Sequence, residues 1–343
     1  MDLAKYRCLK CRQSRWAVFA TLWRCETCGH RYACVQGIPR LFSEEELSEQ
    51  TRALRDGFYD GLVGSYYRFV MPFLTLPARP LRLSWVDWAV YAAVLAFILG
   101  IVTYLIIIFS GNGISAFGGK DVFIIIIALC IALFFRRHPY LFFLFILAVP
   151  VKVSLALARF KPSKTFAEVH QQAIAKLKAK GGALQVLDVS TGNCVSLYKH
   201  GWMELKAEYT GVDLSETMLM QGLAFMTGKQ VPVDFALADA INLPFQSDTF
   251  DVVLNYGAVN GISDPALALG EMVRVAKKGA LIFFLDEQLY PRASAIERVY
   301  FRKVLSSHNV IHECPVDLLP PGAADVEVHQ VYQFYYICTA VKV

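Results

Sequence analysis

The sequence predicts a parallel α/β sheet in the carboxy-terminal half, preceded by a small metal-bound knot and a membrane block. From Leu184 onward short apolar runs alternate with helical segments; four cysteines near the amino terminus stand in two CxxC pairs; and Trp85–Phe109 is 25 residues long with Asp87 as its one charge. The segments differ in charge. Residues 1–84 hold 13 Lys and Arg against 8 acids, residues 85–159 hold 5 against 2, and residues 160–343 hold 16 against 19. A chain of 343 residues, 55% apolar with a mean hydropathy of +0.41, carries far too much apolar surface to be disordered. Its concentration in one stretch argues against an ordinary soluble enzyme.

Residues 1–42 form the knot. Cys8 and Cys11, then thirteen residues, then Cys25 and Cys28 give two knuckles, and each tight turn puts two thiolates on one side. Together they complete a tetrahedral site for a structural Zn2+. About forty residues make a poor core alone, so the metal supplies the missing folding free energy. Four thiolates leave no open coordination position, and His30 is only a substitute ligand. On this reading the knot is an independent clip, and chelation unfolds it while sparing the rest. Its 8 bases against 2 acids suit either a solvated surface or contact with RNA or anionic lipid headgroups. The first thirty residues are Arg-rich, without an apolar run, and a reducing compartment is expected.

Residues 81–160 read as the membrane block. At 1.5 Å per residue, 85–109 exceeds a hydrocarbon core of ~30 Å, with Trp85, Trp88 and Tyr91 as interfacial aromatics. A polar loop, 110–120, separates it from a second span over about 117–137. A third run, 140–158, contains Pro150 and Lys152 and reads as an in-plane or re-entrant helix, with a third span as the alternative. Arg68, Arg79 and Arg82 precede the first span and Arg136 and Arg137 follow the second, which places both flanks, and so both folded domains, in the cytoplasm.

In the segment 161–343, the runs LQVLDVS, AEYTGVDL, VDFALAD, FDVVLNY and GALIFFLDE are strands of a sheet covered on both faces. Ligands in such sheets sit beyond the strand carboxyl ends, where Asp188, Asp213, Asp239, Asn255 and Tyr256 fall. A carboxylate closing the second strand accepts bonds from ribose hydroxyls, and a glycine turn after the first lets backbone approach a ligand closely. Asp325–Val331 and Gln333–Val343 read as a closing hairpin.

This half resembles the class I S-adenosylmethionine (SAM) methyltransferases, in the group that includes quinone-biosynthesis methyltransferases, over about Val186–Glu287. VLDVSTGNC stands at the family's glycine-rich loop, YTGVDLSETML at its second strand, and ALADAINLPFQSDTFDVVLNYGAVNGISDPALALGEMVRVAKKGALIFF follows its later motifs. The resemblance implies a Rossmann-like seven-stranded sheet binding SAM. Asp213, with Leu214 beside it, would hold the ribose; Asp239 and Ala240 would meet the adenine edge; the loop from Asp188 through Ser190 to Gly192 would pass under the methionine moiety; Asn255 would approach the methyl group as a positioning residue. The family pattern has glycine where this chain has Ser190 and Cys194, and a side chain held there at positive φ is strained. CETCGHRYACVQGIPRLF (Cys25–Phe42) resembles the zinc-ribbon leader of some methyltransferases. Residues 43–80 resemble lid helices; Ser43 with Glu46 three residues on reads as a helix cap.

Other residues have plainer readings. Asp251 reads as a structural turn acid and Glu271 with Arg274 as a surface ion pair. His308, His312 and Glu313 divide between structure and substrate pocket, and Tyr256 and Tyr290 are weak acceptor contacts. The expectation is a membrane-anchored SAM-dependent methyltransferase acting on a lipid or other small hydrophobic acceptor at the bilayer. Two rivals stay open: a non-catalytic scaffold with a decayed pocket, and an RNA or protein methyltransferase guided by the basic ribbon.

Overall fold

The computed structural model describes residues 2–61 and 160–343, with the single residues Gly64, Gly100 and Val151. No helix among the described residues is long and apolar enough to cross a membrane. The expected runs at 85–109, 117–137 and 140–158 lie, apart from Gly100 and Val151, outside the described residues. The chain divides into two compact units, one of residues 1–68, 162–288 and 308–343 and one of residues 69–161 and 289–307.

In the first unit the amino terminus forms a four-stranded antiparallel sheet: β1 (Trp16–Val18), β2 (Leu22–Cys25), β3 (Arg31–Val35) and β4 (Ile38–Pro39). Alternation places Trp23 and Cys25 on a buried face and Arg24 on an exposed one. A short 3-10 turn at Glu44–Glu46 follows, then α1 (Glu49–Leu54). The helix cap is not where the sequence suggested. Ser43 makes no capping bond; Ser48 caps α1 by accepting from the Thr51 N–H at 3.0 Å. Leu47, 3% exposed, is drawn into the core with extended backbone, and that breaks any helix begun at Ser43.

The main sheet has seven strands in the order β10-β11-β9-β8-β5-β6-β7. These are β5 (Leu184–Val189), β6 (Ala207–Asp213), β7 (Val233–Leu237), β8 (Phe250–Tyr256), β9 (Ala276–Glu287), β10 (Ala323–Tyr332) and β11 (Tyr335–Lys342). The five expected strands, β5 to β9, are parallel to one another, and β11 runs antiparallel to both β9 and β10. Strand order reverses between β5 and β8, where a crevice must open because their following connections leave in opposite directions. The helices are α2 (Phe166–Lys180), α3 (Val195–Lys199), α4 (Glu216–Gly228) and α5 (Pro265–Val275). Local chemistry sets their ends: Thr165 and Glu168 form a capping box on α2, Gly181 at φ +69° ends it, and Asp264 with Pro265 starts α5.

The amino-terminal ribbon is not a separate clip. Tyr6, Trp23 and Cys25 belong to the same buried apolar cluster as Leu243, Phe245 and Phe250 of the main domain. The Arg7 N–H donates to the Pro244 carbonyl at 2.9 Å, and Leu41 N–H to the Leu237 carbonyl at 2.7 Å, so the ribbon extends the β7 edge. Lys5, 4% exposed, donates to Thr210 Oγ1 at 2.8 Å and to Asp234 Oδ2 at 2.7 Å. Glu271 with Arg274 is likewise no isolated surface pair. The half-buried Glu271 also accepts from Arg7 at 3.1 Å and from the Leu243 N–H at 2.8 Å, joining ribbon, loop and α5.

In the second unit, Ser294 and Glu297 form a capping box on α6 (Ala295–Tyr300), and the Tyr290 hydroxyl donates to Glu297 at 3.0 Å. That contact occupies the group expected to meet an acceptor.

Candidate cofactor site

The loop after β5 lies where the strand order reverses between β5 and β8. Ser190, Gly192 and Cys194 all adopt left-handed backbone, at φ +55°, +55° and +59°. These are the three positions at which the sequence pattern has glycine, so the loop keeps a glycine-type path with two side chains on it. Hydrogen bonds hold it there: Thr191 N–H donates to Val212 O at 2.9 Å, Cys194 N–H to Thr191 O at 3.0 Å, and Gly192 N–H to Asp213 Oδ2 at 2.8 Å. A Cβ on Gly192 would sit 3.2 Å from Met218 Cε besides being strained. Gly211, on β6, makes room for Thr191, whose Cγ2 would be 2.9 Å from a Cβ there. Neither Thr191 nor Gly211 was evident from sequence; a small residue mid-strand beside a tight loop was the available signal.

Asp188 is the penultimate residue of β5 and is 1% exposed. Its Oδ2 accepts from Thr191 Oγ1 at 2.6 Å, while Oδ1 is buried with no partner. Burial, reinforced by the nearby Asp213, pushes its carboxyl up to about 7. Asp213 closes β6 and accepts from the Gly192 and Ser215 N–H groups at 2.8 and 2.9 Å. Burial raises it to about 6 against those bonds. Asn255, fully buried at the end of β8, donates through Nδ2 to Val189 O at 2.9 Å and leaves Oδ1 unpaired. Asp239 follows β7; burial raises its carboxyl, and it accepts from the Ile241 N–H at 3.2 Å. Ala240 is buried beside it, and Leu214 is half-buried after Asp213. Asp60 was missed as a site residue although it lies in the segment 43–80 that resembles lid helices. Its Oδ1 accepts from Ser215 Oγ at 2.5 Å and from the Thr217 N–H at 3.1 Å, tying the segment after α1 to the amino terminus of α4.

These residues fit SAM. An unpaired, buried carboxylate oxygen on Asp188 costs free energy until a donor reaches it, and SAM brings an ammonium group. Asp213 retains free lone pairs for ribose hydroxyls, and Asn255 Oδ1 is a second unpaired acceptor at the neighbouring strand end.

Other candidates fall elsewhere. Asp251 is structural, accepting from the Gln185 N–H and from Lys277, both at 2.8 Å. The Tyr256 hydroxyl accepts from Trp202 Nε1 and is 2.7 Å from His170 Nε2, so it is engaged in the core. Among the described residues His308, His312 and Glu313 do not assemble into a metal-type cluster. Cys8, Cys11, Cys25 and Cys28 do: their sulfurs lie within 4.8 Å of one another, with Cys8–Cys28 at 3.7 Å and Cys11–Cys25 at 3.5 Å. A zinc tetrahedron with ~2.3 Å bonds has edges of about 3.8 Å. The donor set matches that ion.

The sheet is the Rossmann-like class I methyltransferase fold, and residues 187–284 match the methyltransferase domain family. The chain is similar to norajmaline N-methyltransferase of Rauvolfia serpentina, 34% identical over 31% of this chain and 37% of that one. It is similar to phosphatidylethanolamine N-methyltransferase of Cereibacter sphaeroides, 27% identical over 38% of this chain and 63% of the relative. Demethylmenaquinone methyltransferase of Staphylococcus haemolyticus is 34% identical over 29% and 41%. The matched stretch thus spans less than two thirds of each of these relatives.

Proposed function

We propose that this chain is a membrane-anchored SAM-dependent methyltransferase whose acceptor is a lipid-like or other small hydrophobic molecule, met at the cytoplasmic face of the bilayer. The observation that carries the cofactor reading is the unpaired, buried Oδ1 of Asp188 beside a loop kept on a glycine-type path. The long run at 85–109, with Asp87 as its one charge, motivates the anchor and a hydrophobic acceptor, since a soluble acceptor needs neither. Two of the similar proteins are named for phosphatidylethanolamine and demethylmenaquinone, both lipid-like, which supports the same class.

Bound SAM supplies a methyl group on a sulfonium. Asp188 would receive the methionine ammonium, Asp213 the ribose hydroxyls, and Asp239 with Ala240 the adenine edge, with Leu214 beside them. Gly192 allows the backbone to approach. Asn255 orients the acceptor through its free Oδ1. Transfer is an in-line displacement, so alignment and exclusion of water are the protein's main contributions, and no strong base is required. Cys8, Cys11, Cys25 and Cys28 would hold a structural Zn2+.

The test is label transfer from methyl-labelled SAM by the detergent-purified full chain, offered a membrane lipid extract, water-soluble amines and RNA. Label should enter the lipid fraction and vanish with Asp213→Ala. Label confined to water-soluble amines or RNA overturns the lipid assignment, and no calorimetric SAM binding at millimolar ligand overturns the enzyme.

A further inference from the structure

The ribbon's outer face has no role in the cofactor site. Four of its eight bases are committed. Lys5 pairs with Asp234, Arg7 with Glu271 and Arg40 with Glu44 and Glu216, while Arg12 donates to Asn242 at 3.0 Å. Lys10, Arg15, Arg24 and Arg31 are exposed and form no ion pair among the described residues. Arg24 and Arg31 are directly opposite each other on β2 and β3, with Ala17 opposite Arg24 on β1. Like charges facing each other across an antiparallel pair are destabilising. An anion lying over this face would relieve that repulsion.

The same sheet ends in an exposed apolar turn. Phe19 is 51% and Val18 47% exposed, although the turn is ordered by Phe19 N–H donating to Leu22 O at 2.9 Å and Cys34 N–H donating to Thr21 O at 2.8 Å. An aromatic and an aliphatic side chain at the tip of the same small sheet that carries the exposed arginines combine the two requirements of interfacial binding: apolar burial and attraction to anionic headgroups. A single-stranded nucleic acid would use the ring and the cations but gives Val18 nothing to bury against.

We infer that the outer face and tip of the ribbon form a peripheral docking site for an anionic phospholipid surface, with Val18 and Phe19 entering the interface and Arg24 and Arg31 binding headgroup phosphates. The inference rests on the anchored reading for the nearness of a bilayer, but its residues are distinct from the anchor.

Hydrogen exchange of the full chain tests it locally. Peptides covering residues 15–33 are followed with added vesicles of phosphatidylcholine alone and of an equimolar mixture with phosphatidylglycerol. The amides of the β1–β2 turn should slow with phosphatidylglycerol vesicles only, and raised salt should abolish the effect. R24Q/R31Q should weaken the vesicle dependence by roughly 25-fold, about fivefold for each arginine. Phe19→Ser should weaken it with the salt response intact. Bound zinc verifies that the variants fold; should either lose it, the wild-type lipid and salt titrations decide. Equal exchange with both vesicles overturns the site, and protection by single-stranded RNA without a lipid effect reassigns the face to nucleic acid. Reconstitution of the chain into bilayers reads the anchor separately, so either reading can fail without the other.

Discussion

Replacing Ser190 and Cys194 by glycine, one at a time, should move stability in opposite directions. Both residues sit at positive φ, +55° and +59°, where a side chain costs about 1–2 kcal/mol. Glycine removes that strain but adds unfolded-chain entropy of about 0.5–1 kcal/mol. Ser190 is half-buried and its hydroxyl has no hydrogen-bond partner among the described residues, so little else changes and Ser190→Gly should stabilise by about 0.5–1 kcal/mol. Cys194 is fully buried; its sulfur lies 3.1 Å from Thr191 Oγ1 and against Gly222. Deleting it forfeits about 1–1.5 kcal/mol of apolar burial and leaves a small cavity, which outweighs the strain released. Thermal unfolding of the full chain in detergent should show Tm up by about 1–3 °C for Ser190→Gly and down for Cys194→Gly. SAM affinity should stay within about twofold for Ser190→Gly, because the loop already follows the path glycine would take. A lower Tm for Ser190→Gly would refute the claim that this loop is a strained copy of a glycine turn.

The remaining predictions concern protons, the ribbon and its metal. Asp188, at about 7, and Asp213, at about 6, are largely protonated in the free protein at pH 5, and the cofactor's ammonium favours the Asp188 anion. SAM affinity should therefore rise from pH 5 to 8, and calorimetry in two buffers of different ionisation enthalpy should register proton release at pH 6. Because both folded values are raised, their contribution to stability is complete below the ordinary carboxylate range and is lost as pH rises through about 6–7. The pair should thus lower the Tm of the free protein across that window, and saturating SAM should flatten the trend. Lys5→Met removes the buried ammonium's bonds to Thr210 and to Asp234, whose side chain is 25% exposed, and should cost about 2–3 kcal/mol in urea unfolding, less than a fully buried pair. Zinc chelation should lower the Tm of the main sheet as well as the ribbon; an unchanged main transition would show that the shared cluster does not couple them.

The strands, their parallel order and the acids at their ends were legible in sequence because both signals are local. A run such as FDVVLNY can satisfy its backbone and bury its side chains only as a covered strand, and Asp213 or Asp239 marks where the strand stops. The four-cysteine knot was legible for the same reason, since each CxxC knuckle is a turn in its own right. What local signals could not carry was contact between distant segments. Ser43 carried a helix-cap pattern, yet Leu47 is pulled into a core built mostly from residues after 160. Glu271 and Arg274 resembled a solvated pair until Arg7, more than 260 residues away in the chain, joined them. Whether Ser190 and Cys194 disable the loop was likewise undecidable from residue type. Local patterning by itself gave the parallel sheet with its strand-end acids and the grouping of four cysteines. Only tertiary packing decided that the ribbon is fused to that sheet and that one oxygen of Asp188 is left waiting for a donor, because a buried group's partners are set by whichever segments close over it.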